Sequence, residues 1–525
     1  MGQLDKTRPF VITGLLLGLL MASLDNTIVA TAMPTIVTRL GGLDIYSWVF
    51  SAYLLTSTTF IPIFGKLADL YGKKGFYLLG LILFVLASVL CSTASTMEQL
   101  IAYRALQGIG ASAMFPISFA LIMEIFPPEA RGKMQGLFSA VFGISSVAGP
   151  TAGAYFTEHL SWHWIFLINL PLGILAAILI AGFLKLPARR VEKVVIDYAG
   201  AFTLTLAIIA LMFGLVMGGK EYAWDSWQIL SLLIGSGVLT LLFLFIETKA
   251  KQPVIPLRLF NAGLTSSTGT AFLQGVILIT ASSYIPLFIQ GVIGGSAVNA
   301  GNLLTPMMLA VVAGSTVGGI LSAKLPFRPM MLIASVFMAG GTYLLSRITM
   351  ETTNTYMILS MIVLGLGIGP LMPITMMLTQ VSVGRENIGI GTSLITFFRN
   401  IGMALGVSVM GVIVNSRMQD TMVDLGTKFK VPPQFADMVK EPQALFSEQA
   451  RQFIPPEVFT HMQQGMGGAI ADVFLICVGV AVACFLFSLL AGKASLAMLK
   501  QGGPGGGGGP QTTRSDDRQQ KPSTV

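Results

Sequence analysis

The chain has 525 residues, of which 54% are hydrophobic and only 11% are charged. A soluble domain carries about 25% charged residues, so this composition excludes an ordinary soluble enzyme and indicates a membrane protein with many spans. The formal net charge is +8, but the basic residues lie in short loops between apolar runs, which argues for orientation in a membrane and against nucleic-acid binding. All three cysteines lie inside apolar runs, so no disulfide framework is expected.

Fourteen apolar runs reach the length of about 20 residues that a membrane-spanning helix needs. They cover residues 10–32, 46–66, 75–95, 99–122, 133–156, 162–184, 198–218, 227–246, 265–290, 299–323, 329–347, 355–378, 388–414 and 470–490. An even number of spans places both termini on one side of the membrane. The short loops on the opposite side hold only Arg39, Lys220 and Arg347, so both termini are predicted to be cytoplasmic.

The order of the runs predicts a division into two halves with an insertion. Residues 1–190 are expected to form a first six-helix half, 191–260 two additional spans with linkers, and 261–500 a second six-helix half. The second half contains a long outer loop at 415–469, and the Gly-rich residues 501–525 are expected to be a disordered cytoplasmic tail.

A faint internal repeat agrees with two halves. In span 4, Gly110 is followed six residues later by "PIS" at Pro116, and in span 12, Gly367 is followed six residues later by "PIT" at Pro373. Two similar six-helix halves with a site between them are the plan of many transporters.

Span 1 contains a charged residue in "LDNTIVATAMP", residues 24–34. An Asp in the middle of a spanning helix costs about 2.5–3.5 kcal/mol on insertion scales, so Asp25 must face the interior of the bundle or water. Asp25 is therefore the leading candidate for a protonation or cation site, with Asn26 as a polar neighbour in the cavity. A structural, hydrogen-bonded Asp is the alternative.

The loop between spans 2 and 3 reads "GKLADLYGKKG", residues 65–75. Gly65 and Gly72 allow a tight turn and a close helix approach. Asp69 is predicted to contact the positive end of a neighbouring helix or a basic residue, and such a contact can hold one of two conformations. The predicted members of this switch are Gly65, Asp69, Gly72, Lys73, Glu124 and Arg131.

Span 4 contains "LIAYRALQGIGA", residues 100–111. Arg104 lies inside the span and needs a partner, and Gln107, about one helical turn along, is predicted to line a substrate cavity. Arg104 is predicted to act on the protonation of Asp25, or else to form a structural ion pair. Whether the two side chains meet does not follow from the sequence.

Span 5 carries small residues and a proline in the stretch "SSVAGPTAGA". In a helix interior Gly is unfavourable by roughly 1 kcal/mol and Pro by roughly 3 kcal/mol, so both need a reason. The small residues recur about every four positions and predict a groove for a neighbouring helix, while the proline predicts a bend. The motif comprises Gly136, Ser145, Gly149, Pro150 and Gly153.

Later spans contain further polar or adaptable residues. Gln274, Met307, Gln380, Arg399 and Asn400 are predicted to line a substrate cavity. Arg399 has no acidic residue in its own helix, so its partner is either another helix or a substrate. Asp472, which begins the last run, is expected to cap its helix.

Taken together, these motifs resemble the major facilitator superfamily, specifically its 14-helix drug:proton antiporter family. The resemblance implies an all-α polytopic membrane protein with the major facilitator fold and 14 transmembrane helices arranged 6+2+6. It also implies that Asp25 takes part in proton or cation binding and Arg104 in proton transfer. The loop at 65–75 would be a conformational switch, and the span-5 motif would mark an exporter.

The function implied by this resemblance is proton-coupled efflux of amphipathic drugs or antiseptics, cationic or neutral, across the cytoplasmic membrane by alternating access. The alternatives are an exporter of one metabolite, amino acid or antibiotic with the same fold, or a non-transporting sensor or scaffold. The sequence contains no enzyme constellation and no GxxxxGK[ST] loop, so the proton gradient is the expected energy source, without cofactor or metal. The expected partners are amphipathic small molecules, protons and membrane lipid, without nucleic acid, and the chain is expected to work as a monomer.

Overall fold

The computed structural model describes residues 2–42, 45–46, 48–185, 197–219, 221–250, 252–294, 297–322, 324–429 and 456–492. Within these ranges the regular structure is helical, apart from one isolated bridge between Gly218 and Tyr222. The α-helices are α1 (Gly2–Leu40), α2 (Trp48–Tyr71), α3 (Lys73–Ser92), α4 (Met97–Ile125), α5 (Pro128–His159), α6 (Trp164–Leu167), α7 (Asn169–Phe183), α8 (Tyr198–Met217), α9 (Trp227–Lys249), α10 (Ala262–Gly291), α11 (Ala297–Leu321), α12 (Phe327–Leu345), α13 (Asn354–Val383), α14 (Ile388–Phe429) and α15 (Pro456–Leu489).

Thirteen helical segments in the described part of the chain are long and apolar enough to cross a membrane, with α6 and α7 together forming one of them. The remaining predicted run lies in α5, which has 32 residues but is rich in Gly, Ser and Thr, so that its hydropathy is lower. At 1.5 Å per residue its length exceeds the hydrocarbon thickness of about 30 Å. The all-helical, many-span fold class is thereby confirmed, and the membrane crossing of α5 stays a prediction.

The last two long helices differ from their predicted boundaries. α14 continues to Phe429 and α15 begins at Pro456, so both extend into the segment predicted as an outer loop at 415–469. Residues 430–455 and the predicted disordered tail at 501–525 lie outside the described residues. The added turns are polar, which is why a search for apolar runs does not detect them.

The prediction that Asp472 caps the last helix is wrong. Asp472 lies well inside α15, where its Oδ2 pairs with Nε of Arg417 in α14 at 3.0 Å. The two side chains are 42% and 57% exposed, so this ion pair lies at the surface of the helix bundle.

Buried apolar side chains form separate cores in the two predicted halves. Two clusters draw their members from residues 11–184 and 24–166, and the largest draws its members from residues 276–491. A further cluster packs α8 and α9 against α2 and α14, so the inserted pair contacts both halves. Apolar cores therefore lie within each group of helices and between these groups and the inserted pair, while the division of the chain at residues 190 and 260 stays a prediction.

The internal repeat has a counterpart in the packing. A Cβ atom added to Gly110 in α4 would lie 2.5 Å from the backbone nitrogen of Phe84 in α3. A Cβ atom added to Gly367 in α13 would lie 2.3 Å from the backbone nitrogen of Met338 in α12. In both halves a glycine therefore lets the fourth long helix approach the third at backbone contact.

Several contacts join the two halves at the end of the bundle that the charge pattern predicts to be cytoplasmic, which we call the inner end. Thr392 Oγ1 in α14 donates to the carbonyl oxygen of Pro116 in α4 at 3.2 Å. Gln380 Nε2 in α13 donates to the carbonyl oxygen of Phe119 in α4 at 3.4 Å. The space between the halves is thus bounded at this end by α4, α13 and α14.

Candidate functional site

Asp25 and Arg104 form an ion pair inside the first half. Nη1 of Arg104 in α4 donates to Oδ2 of Asp25 in α1, and Nε of Arg104 donates to the carbonyl oxygen of Val49 at 3.3 Å. Asp25 is 1% exposed and Arg104 is fully buried. The structure therefore answers the question that the sequence left open, since the two predicted residues do meet.

A polar network surrounds this pair. Gln107 Nε2 donates to Asp25 Oδ1 at 2.9 Å, and Gln107 Oε1 accepts from Arg104 Nη1 at 2.7 Å. Asn169 Nδ2 in α7 lies 3.4 Å from the same Asp25 oxygen and donates to Ser88 Oγ at 2.9 Å. Both carboxylate oxygens of Asp25 are consequently occupied by donors.

Asn169 and Ser88 are members of this network that the sequence reasoning missed. Asn169 is a polar residue between the apolar stretches "WIFLI" and "LPLGILAAILIAGF", which is the signal that could have identified it. Tyr53 also belongs to the site, because its ring centroid lies 4.3 Å from Cζ of Arg104 in a cation–π contact. The guanidinium of Arg104 is thus held directly from α1 and α2, while Asn169 and Ser88 contact Asp25 and Gln107.

This arrangement limits what Asp25 can do in the conformation described. A carboxylate that is buried and hydrogen-bonded on both oxygens is not available to a cationic ligand. Its Oδ2 stays occupied as long as the contact with Arg104 persists. The geometry therefore does not provide a surface that recognises cations.

Asp69 connects the inner end of α2 to the start of α14. Its Oδ1 accepts from the amide of Gly389 at 2.9 Å and its Oδ2 from the amide of Ile390 at 2.8 Å. The first amides of a helix have no partner within the helix and carry its positive dipole end, so a carboxylate is favoured there. Asp69 thereby makes the contact with a neighbouring helix end that the motif predicts, and it makes it across the two halves.

Lys73 and Glu124 extend this contact within the first half. Lys73 Nζ lies 3.2 Å from Asp69 Oδ1 and 2.5 Å from Oε1 of Glu124 in α4. Arg131, grouped with them from the sequence, is buried, and its Nε donates to the carbonyl oxygen of Phe126 at 3.0 Å. The basic role in the loop thus belongs to Lys73, which lies between two carboxylates.

At two positions of this loop the structure requires a glycine, for a different steric reason at each. A Cβ atom on Gly65 would lie 1.9 Å from Oγ of Ser393, so a side chain there would push α2 away from α14. Gly72 adopts φ of +108° between α2 and α3, a conformation that other residues rarely accept. Both glycines therefore support the position of Asp69.

The span-5 motif packs against two different helices. A Cβ atom on Gly149 would lie 1.9 Å from Oγ1 of Thr27 in α1, and one on Gly153 would lie 2.9 Å from the carbonyl oxygen of Ile28. The carbonyl oxygen of Ser145 accepts from Thr27 Oγ1 at 3.1 Å. The part of the motif from Ser145 to Gly153 therefore lies against the helical turn of α1 that follows Asp25.

The first residue of the motif, Gly136, lies between the halves. A Cβ atom on Gly136 would lie 2.9 Å from Cα of Thr316 in α11 of the second half. Pro150 lies in a helix that is continuous from Pro128 to His159, and its side chain is outside the described part of the structure. One helix, α5, therefore contacts both the Asp25 region and the second half.

The seven residues predicted to line a cavity divide into two groups. The exposed or half-buried ones are Asn26, Arg399 and Asn400, and the buried ones are Gln107, Gln274, Met307 and Gln380. Gln274 Nε2, for example, donates to the carbonyl oxygen of Ile368 at 2.7 Å and thus joins α10 to α13. In this conformation Asn26 is exposed, while Arg399 and Asn400 are half-buried.

The described residues contain no group of three or more His, Cys, Asp or Glu side chains that could hold a metal ion. Cys91, Cys477 and Cys484 are buried thiols without a disulfide bond.

The sequence model described as Major Facilitator Superfamily matches residues 15–407. The chain is 41% identical over 488 residues to Multidrug resistance protein 3 of Bacillus subtilis (strain 168), a match that covers 92% of this chain and 95% of that protein. It is 39% identical over 473 residues to Multidrug transporter protein MdtP of the same organism, covering 87% of each chain.

Among solved structures, the crystal structure of the human organic anion transporter MFSD10 (TETRAN) matches with a TM-score of 0.57. The match covers 90% of this chain and 99% of that chain at 14% sequence identity, so it shows a shared fold and nothing about substrate. The family model and the two Bacillus relatives extend over most of the sequence, and the helices have the expected arrangement. This multi-pass membrane protein belongs to the Major Facilitator Superfamily.

Proposed function

We propose that this protein exports amphipathic drugs or antiseptics, cationic or neutral, across the cytoplasmic membrane in exchange for protons. It works as a monomer, with both termini in the cytoplasm, and its two halves expose a central cavity alternately to either side. The names of the two Bacillus relatives support drug transport, since both are called multidrug proteins.

The observation that carries the proposal is the sealed ion pair between Asp25 and Arg104. A buried charge pair inside a membrane protein is expensive to maintain and is commonly part of an ion or proton pathway. When the pair separates, Asp25 takes up a proton from the outer side, and Arg104 retains its contacts with Gln107 and Val49. Release of the proton on the inner side lets the pair form again.

The contacts of α5 supply the connection between this proton step and the movement of the halves. Its glycines touch Thr27, two residues after Asp25, and Thr316 in the second half. A shift of α1 that accompanies protonation therefore acts directly on the helix that lies against the second half. Asp69 and its two amide contacts in α14 hold the inner end shut until this shift breaks them.

The proposal is tested by transport into inside-out membrane vesicles that contain the protein and carry an imposed pH gradient. A panel of cationic and neutral fluorescent dyes is compared for wild type, Asp25→Asn and Arg104→Ala. We expect dye uptake that collapses when the gradient is dissipated and is absent in both variants at equal protein level. Dye transport by wild type that does not depend on the gradient would overturn antiport.

The same experiment separates the rival functions. A flat response to every dye, together with gradient-driven movement of one metabolite, amino acid or antibiotic, would assign the protein to a specific exporter. An activity that Asp25→Asn leaves intact would instead indicate a sensor or scaffold.

A further inference from the structure

Arg399 in α14 is a half-buried cation with two nitrogens that lack a partner among the described residues. Its Nε and Nη2 are sealed from solvent and donate to no acceptor in that part of the chain. Lys73, Arg104 and Arg417, by contrast, each pair with a carboxylate. An unpaired arginine at membrane depth is costly, so its retention needs a function.

The position of Arg399 on α14 places it toward the space between the halves. Thr392 and Ile395 precede it by seven and four residues and therefore lie on the same helix face. Thr392 donates to Pro116 in α4, and Ile395 packs with a small cluster that includes Phe119 of α4. The face that carries Arg399 is thus directed at the first half.

The packing opens at the level of Arg399. Residues 388–395 of α14 are all buried, whereas Arg399 and Asn400 are half-buried. Asn400 Nδ2 donates to Oγ1 of Thr58 in α2 at 3.3 Å, so α2 borders the same space. The guanidinium therefore lies just above the contacts that join the two halves at the inner end.

Arg399 brings a positive charge to the space between the halves. The carboxylate predicted to attract cations, Asp25, is occupied by Arg104, Gln107 and Asn169. Arg399 has no such compensation. The two nitrogens without partners, Nε and Nη2, lie on one edge of the guanidinium, where two parallel N–H groups match the two oxygens of a carboxylate.

We propose that Arg399 binds the carboxylate of a transported amphiphile, so that the substrate range also includes amphipathic acids and zwitterions, and these bind more tightly than matched compounds that lack an acid group. The proposal rests on the proposed export function and names the chemical class that the site selects. Asn400 beside it supplies a second polar contact. The sealed edge of Arg399 becomes accessible when α2 and α14 separate during the transport cycle.

The test is equilibrium binding to the purified full-length protein in lipid nanodiscs, without a pH gradient. The probes are 1-pyrenebutyric acid and its primary amide, which share an apolar body and differ in the acid group. We expect wild type to bind the acid about 10- to 100-fold more tightly than the amide, the range of a charge-assisted hydrogen bond. Arg399→Gln should remove this preference while leaving the affinity for the amide unchanged.

Two further variants make the result specific. Arg399→Lys keeps the charge but not the paired N–H groups, so an intermediate preference is expected. Arg417→Gln removes the same charge from the same helix, at a side chain that is 57% exposed, and should keep the full preference. If Arg399→Gln does not fold, the acid-to-amide ratio of wild type and of Arg399→Lys still decides the question.

Three outcomes would overturn the inference. The first is equal binding of acid and amide by wild type, and the second is a preference for the acid that persists in Arg399→Gln. The third is displacement of 1-pyrenebutyric acid by sodium acetate as effectively as by a non-fluorescent amphiphilic acid. The last result would assign the site to small free anions. Gradient-driven flux of a cationic dye in proteoliposomes reads the proposed function separately. An acid preference without dye flux would refute the proposed function and support the role of Arg399. Dye flux without an acid preference would support the proposed function and refute the role of Arg399.

Discussion

Replacing Asp25 by Asn tests whether the buried ion pair is a coupling element or only a structural one. The change removes the negative charge but keeps the shape of the side chain and one acceptor oxygen. Arg104 is then a fully buried cation that retains hydrogen bonds to Gln107 and the carbonyl oxygen of Val49. Removing one partner of a buried pair costs about 3–5 kcal/mol, and the retained contacts place the expected loss of unfolding free energy at the lower end.

A double-variant cycle isolates the pair itself. Arg104→Gln alone leaves the Asp25 carboxylate buried and should be as destabilising as Asp25→Asn. The combined variant removes both charges, so it should recover about 2–3 kcal/mol relative to the sum of the single changes, near the upper end for residues in contact. Transport coupled to the pH gradient should stay absent in all three variants.

The stability is measured by equilibrium unfolding of the protein in mixed micelles with increasing SDS, and the coupling by gradient-driven dye efflux in vesicles. Single-variant losses that simply add in the double variant would show that the two charges do not act as a pair. Gradient-driven efflux by Asp25→Asn would show that proton coupling does not depend on this carboxylate. Either result would refute the reasoning from the geometry.

Three further changes have defined outcomes. Gly149→Leu should abolish efflux without removing the protein from the membrane, because the new Cβ would lie 1.9 Å from Thr27 Oγ1. Gly182→Leu is the control and should be tolerated, since nothing lies within 4 Å of a Cβ there. Efflux that survives Gly149→Leu, measured together with a blot of membrane protein, would contradict the role of the close contact. Asp69→Asn should shift the population toward an open inner end by about 10- to 100-fold, since two amides lose a charged acceptor. Spin-label distances between the inner ends of α2 and α14 would report this shift, and an unchanged distance distribution would argue against the role of Asp69 in closing that end. Lys73→Met should produce a smaller shift in the same distances, and Lys73→Arg should keep the wild-type distances. Equal distances in the two variants would mean that the charge at this position is irrelevant.

The helices are readable from the sequence because the signals for them are local. Apolar runs of membrane length predict the helices, and the placement of Lys and Arg in short loops predicts the orientation. Each of the fourteen predicted runs overlaps helical structure: the run at 162–184 is divided between α6 and α7, and the run at 133–156 lies in α5, whose membrane crossing stays a prediction. The failures are equally local: α14 and α15 extend beyond the apolar region through polar turns, and Asp472 consequently lies inside a helix rather than at its end.

The candidate residues of the site are also readable, because ionisable residues are rare inside spans and each one therefore draws notice. What each residue does to the others depends on which helices are neighbours. α1, α4 and α7 meet so that Asp25, Arg104 and Asn169 form one network, although they are far apart in the chain. Spacing along the sequence holds no information about such a contact.

The sequence by itself therefore determined the helices, their order, the charged residues that must be sheltered, and the family. Only the tertiary structure decided that Asp25 is neutralised by Arg104, while Nε and Nη2 of Arg399 find no partner in the described part of the chain. The physical reason is that hydropathy is a property of each segment alone, whereas the compensation of a buried charge is a property of the helices packed around it.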